Sequence, residues 1–96
     1  MESFENIKNK IIRNSNGEII SANNFGICEY IVFDRSLGAY SDAMFRIDGY
    51  FEQNYLGHLR TYVEYDGGIL PLDDFFSRGY RKPTQSEIDD YIKYDS

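Results

Sequence analysis

The chain has 96 residues, of which 42% are hydrophobic and 17% aromatic, and it carries a net charge of −6. That length supports one domain, residues 1–96, with one core that Phe and Tyr can fill without Trp. The aromatic content excludes disorder, the single Cys28 excludes an intrachain disulfide framework, and the longest apolar run, Tyr30-Ile31-Val32-Phe33, is far short of a membrane span.

The first residues, Met1 to Lys8, lack the apolar stretch of a signal peptide, so a cytoplasmic, reducing compartment is expected. Residues 1–40 carry five acids and four bases, whereas residues 41–96 carry eleven acids and six bases. A field of that sign repels phosphate backbones, so direct nucleic-acid binding is not expected, and without a long apolar run neither is a membrane. Proteins that themselves bind nucleic acid are the more natural partners.

In chain order, Ser3 caps a predicted short helix, with Phe4, Ile7 and Ile11 at helical spacing. A hairpin competes for part of the same segment: Lys10-Ile11-Ile12 and Glu18-Ile19-Ile20 flank Asn14-Ser15-Asn16-Gly17, whose Asn-Gly pair tolerates positive φ, and a blend in which the helix ends near Lys10 and the hairpin follows is also open. After the polar loop Ser21–Asn24, the β-prone run from Gly26 to Asp34 predicts one central strand with Cys28 buried inside it. Arg35-Ser36-Leu37-Gly38 breaks the run.

Two long strands follow, Ala43 to Glu52 and His58 to Tyr65, joined across Gln53–Gly57. Strict alternation places Phe45, Ile47, Gly49 and Phe51 on one face and Met44, Arg46, Asp48, Tyr50 and Glu52 on the other. In the second strand Leu59, Thr61, Val63 and Tyr65 oppose His58, Arg60, Tyr62 and Glu64. Asp66-Gly67-Gly68 then turns the chain into Ile69 to Leu72, which Pro71 marks as an edge strand. Thr84-Gln85-Ser86-Glu87 is a capping box opening a terminal helix with an Ile88, Tyr91 and Ile92 stripe. The predicted fold is therefore α+β: a bent antiparallel sheet of four to five strands, with a short N-terminal helix and a C-terminal helix packed on it.

Catalytic chemistry finds little support in these residues. His58 is the only histidine, and no serine, threonine or cysteine stands in a nucleophile motif near it. The Asp73-Asp74 and Asp89-Asp90 pairs lack the alternating spacing of a calcium loop, and the glycines form no phosphate-binding loop. No enzyme, cofactor or metal is expected. The basic stretch Arg78 to Lys82, with Tyr80 interleaved, could stack and pair with a nucleic-acid strand, but the favoured reading is that it neutralises Asp73, Asp74 and the first turn of the terminal helix. What remains is an acidic, tyrosine-bearing surface: Asp48, Tyr50, Glu52, Tyr62, Glu64 and Asp66, with Asp73 and Asp74 as rim charges.

The segment Gly79-Tyr80-Arg81-Lys82-Pro83-Thr84-Gln85-Ser86-Glu87-Ile88 resembles the ends of many small phage and mobile-element proteins, where Arg-x-Ala/Pro-Thr-x-x-Glu leads from a β domain into a terminal helix. In size, charge and texture the chain is similar to the acidic inhibitors that phages direct at bacterial defence nucleases, anti-CRISPR proteins among them. The resemblance implies a non-enzymatic, phage-encoded inhibitor of a basic nucleic-acid-handling enzyme in the host cytoplasm. The alternative is a self-associating assembly module whose exposed aromatics contact further copies of itself.

Overall fold

A computed structural model describes residues 9–95. Strands dominate, in two antiparallel sheets of three and five strands, and a helix closes the chain. The predicted helix capped by Ser3 lies outside the described residues for most of its length. Its last stripe residue, Ile11, belongs to a strand, and the competing hairpin is what forms.

Strand β1 (Ile11–Arg13) pairs with β2 (Ile19–Ala22). The Asn14 carboxamide holds the turn by accepting from the amides of Asn16 and Glu18 at 2.9 and 3.0 Å. Asn23 and Asn24, at φ 52° and 70°, reverse the chain again into β3 (Phe25–Gly26), which completes the small sheet. Asn occupies this left-handed region more readily than other side-chain-bearing residues.

The single strand predicted from Gly26 to Asp34 does not form. The chain turns at Cys28, φ 70°, and resumes as β4 (Tyr30–Phe33). This break separates the two sheets and replaces the one bent sheet expected. It also exposes Cys28, which was expected to be buried. The amide of Cys28 and the carbonyl of Glu29 are both satisfied by Ile47, at 2.7 and 2.8 Å, so the turn is stitched to the large sheet.

A short 3₁₀ turn at Arg35–Leu37, capped by the Asp34 carboxylate, leads into β5 (Ala43–Tyr55) and β6 (His58–Tyr65). Their hairpin is longer than predicted because the connection is only Leu56-Gly57, at φ 52° and 82°. Strand β7 (Gly68–Pro71) follows, then a one-turn helix α1 (Leu72–Phe75), β8 (Tyr80–Arg81) and the terminal helix α2 (Gln85–Asp95). The large sheet has the order β7-β6-β5-β4-β8, so β7 is an edge, as Pro71 requires.

The core lies between the large sheet and the layer formed by the small sheet and α1. Phe25, Ile31, Phe33, Ile47, Val63, Leu72 and Phe75 are all buried there. Aromatic contacts knit it together: Phe75 packs edge-on to Phe33 at 5.1 Å, and the Tyr65 ring lies 4.9 Å from Phe75.

Helix α2 covers the outer face of the large sheet near β4. The capping box forms as predicted: Glu87 N donates to Thr84 Oγ1 at 3.2 Å, and Thr84 N donates to Glu87 Oε1 at 2.9 Å. Tyr91 packs edge-on against Tyr30 at 5.3 Å, while Ile92, placed on the predicted stripe, remains 49% exposed.

Candidate protein-binding surface

One irregularity decides which face the candidate residues occupy. Between Ile47 and Gly49 the β5–β6 register shifts, so that Ile47 faces Tyr65 while Gly49 faces Glu64. Asp48 is the extra residue of this β-bulge, and every side chain after it changes face. The alternation read from the sequence therefore holds through Ile47 and inverts beyond it.

Tyr50, expected on the polar surface, instead lies opposite Val63 on the core face. Its hydroxyl donates to the Phe25 carbonyl at 2.7 Å, and burial pushes its pKa upward. Glu52 turns inward with it, opposite the buried Thr61, and accepts from Arg13 Nη1 at 2.6 Å. Both residues join the large sheet to the small one. Neither belongs to a free acidic face.

Phe51, expected in the core, emerges on the outer face and stacks on Tyr62 with ring centroids 5.3 Å apart and planes inclined by 15°. Pro71 lies opposite Tyr62 in β7, and Ile69, 58% exposed, lies opposite Glu64. An aromatic and aliphatic strip thus crosses β5, β6 and β7 beside the Glu64 carboxylate.

At one end of this strip a cleft of about 460 Å³ opens between α2 and the β6–β7 turn, lined in part by Tyr30, Arg46, Asp48, Asp66 and Tyr91. Arg46 donates from Nε to Asp48 Oδ1 at 3.1 Å, and its Nη2 lies within ion-pair distance of the same oxygen at 3.1 Å. Asp66 occupies the turn at φ 44° and has no ion-pair partner among the described residues. At the other end the hairpin outruns its neighbours. In the strand ladders of the described residues, 52–55 pair with 58–61, and the tip exposes Tyr55, Leu56 and Leu59, Leu56 to 82%.

Asp73 and Asp74 sit elsewhere. They belong to α1 on the core-face side, where Asp73 accepts from Asn9 Nδ2 at 2.8 Å, so they do not rim the outer face. The basic stretch does not neutralise them either. Arg81 forms a two-bond fork on Glu87 at 2.8 and 2.9 Å and reaches Asp34 at 3.1 Å. Lys82 pairs with Glu29 at 3.0 Å, donates to the Asn24 carbonyl and lies 4.3 Å from the Phe25 ring centroid. Only the assignment to the first turn of the terminal helix holds.

Of the eight sequence candidates, the structure gathers Asp48, Tyr62, Glu64 and Asp66 along one side of the sheet and disperses Tyr50, Glu52, Asp73 and Asp74. Phe51, Ile69, Pro71, Tyr30 and Tyr91 join the gathered set. Gly49 carried the signal for this exchange, since a glycine inside a strand pattern marks a bulge. No protein-family model matches the chain, and no curated protein or solved structure is similar to it.

Proposed function

We propose that this chain is a non-enzymatic inhibitor, of the phage-encoded kind its C-terminal segment resembles, that binds a basic nucleic-acid-handling enzyme through the outer face of its large sheet. The observation carrying this reading is the Phe51–Tyr62 stack with Ile69 and Pro71 beside it, bordered by Glu64, Asp48 and Asp66. Carboxylates of this border stand in for phosphates and steer encounter with a basic channel. The stacked rings supply rigid area that is buried on contact and holds the complex.

Cleavage by a panel of RNA-guided and other defence nucleases, measured with increasing amounts of the chain, tests the reading. At least one should lose activity, and Tyr62→Ala should weaken inhibition by about ten- to a hundredfold, as removal of an interface anchor does. Tyr50→Phe, which alters only an internal hydrogen bond, should inhibit like the parent. Full activity of every nuclease at saturating protein would refute the proposal.

The exposed arm favours a second reading, self-association through Tyr55, Leu56 and Leu59. Sedimentation of the 11.2 kDa chain alone separates the two readings. An assembly module sediments as an oligomer without a partner and loses that behaviour in Leu56→Asp, whereas the inhibitor needs no such state.

A further inference from the structure

The cleft beside α2 combines three features that a solvated acidic turn does not need. Its aromatic wall is the Tyr30–Tyr91 pair, whose planes meet at 63°, so the two half-buried rings form a corner rather than a flat patch. Its opposite side carries two carboxylates from separate parts of the chain, Asp48 on the bulge and Asp66 on the β6–β7 turn. Arg46, the cation among its described lining residues, is already committed: its hydrogen bond and its closest ion-pair contact both end on Asp48 Oδ1, leaving Oδ2 without a partner among the described residues.

Aromatic faces attract cations through their quadrupole, and a planar guanidinium can stack on a ring while its edge donates to carboxylates. With Arg46 balanced by Asp48, the described lining of the cleft keeps one uncompensated negative charge, on Asp66. An anion would meet that charge and find no free cation among the described lining residues; a neutral apolar group would bury carboxylates at a cost. A compact ammonium could be held, but it would leave unused the match between a planar donor fork and two separated oxygens.

We propose that this cleft receives the side chain of an arginine from the partner protein, with Asp66 and Asp48 Oδ2 accepting its donors and Tyr30 and Tyr91 flanking its plane. The proposal rests on the reading of the chain as a binder of basic proteins and specifies the group recognised. It places one contact at a fixed position, at the α2 end of the Phe51–Tyr62 strip.

The test is a magnetic-resonance titration of the isotope-labelled full chain with capped Gly-Gly-X-Gly-Gly peptides, in which X is arginine, lysine or citrulline. The arginine peptide should saturate with a dissociation constant of roughly 1 mM, the weak end of specific recognition, and shift the amides of Asp48, Asp66, Gly67 and Tyr91 first. Citrulline keeps the shape and removes the charge, and should bind at least about tenfold more weakly. Asp66→Asn should weaken the arginine peptide by a similar factor of about ten, and it keeps the turn because Asn tolerates positive φ. Tyr91→Leu, which keeps apolar bulk and removes the ring, should weaken it by about threefold or more.

Equal binding of citrulline and arginine, an unchanged affinity in Asp66→Asn, or shifts scattered away from the cleft would overturn the proposal. Lysine binding as tightly as arginine would overturn the assignment of the guest as a guanidinium. The titration contains no nuclease, so its failure condemns the cleft alone, whereas failed nuclease inhibition condemns the functional reading.

Discussion

Gly79 shows how one missing side chain fixes a local arrangement. A Cβ at this position would collide with the backbone of Leu37 and Gly38, and backbone cannot swing aside as a side-chain tip can. The Asp34 amide also donates to the Gly79 carbonyl at 3.0 Å, holding the two segments together. Gly79→Ala should therefore destabilise the chain by about 1–3 kcal/mol through overpacking, measured as a lower midpoint in urea. Nearby, the Arg81 guanidinium and the Thr84 amide pull the Glu87 pKa down to about 2. A carboxylate depressed on folding stabilises the native state above its unfolded pKa, near 4.5, and loses that contribution as pH falls toward 2. Acid titration of the melting temperature should show this loss between those limits, and Glu87→Gln should flatten that part of the profile. The Arg81–Glu87 pair was legible in part, because the capping box fixes Glu87 and the basic stretch stands just upstream. Its second carboxylate, Asp34, was not, since 47 positions separate it from Arg81 and only the β4–β8 pairing brings them together.

At the scale of elements, sequence reading succeeded where the local signal is self-contained. Thr84 and Glu87 announced the start of α2, Pro71 marked an edge, and Asn14 with Gly17 specified a hairpin that competed with a helix. It failed where one residue resets the geometry of many. Cys28 in the left-handed region splits an apparent strand, and Asp48 in the bulge turns Tyr50 inward and Phe51 outward; the unbroken apolar alternation on both sides hid each event. Two of the eight expected binding residues, Tyr50 and Glu52, changed face through the bulge, whereas Asp73 and Asp74 lie elsewhere because they belong to α1. The contribution of α2 can be measured directly. Ending the chain before Pro83 uncovers Tyr30 and removes the fork on Arg81, and should lower the melting temperature by several degrees, since about 1 kcal/mol corresponds to 4–8 °C in a domain of this size. Thr84→Ala should remove about 0.5–2 kcal/mol, the usual loss for a capping hydroxyl.

Across the whole molecule, the proposed inhibitor would divide its labour between charge and aromatic area. In that reading a net charge of −6 acts at a distance, and the outer strip acts on contact. Glu64→Lys combined with Asp66→Lys should slow association with a basic partner about tenfold at low salt and reduce its salt dependence, while Tyr62→Ala should chiefly speed dissociation. Stopped-flow association at two ionic strengths distinguishes these effects. The sign of the charge and the prominence of tyrosine were readable from composition, but the shape of the surface was not, because it depends on the bulge and on where α2 lands.

The order β7-β6-β5-β4-β8 also implies a sequence of events in time. Strands β4 to β7 each pair with the next one along the chain, and the two-residue turn at Leu56-Gly57 closes the longest ladder, so the central ribbon has the lowest entropic cost of formation. Hairpins of this kind close in about 1–10 μs, well before β8 must cross back to find Val32 and Phe33. Gly57→Ala, which strains a position at φ 82°, should accordingly slow refolding. Arg81→Gln should leave the refolding rate nearly unchanged and accelerate unfolding. The chain would then assemble from its middle outward, and the return of β8 and α2 to β4 would act as the latch that sets how long the native state lasts.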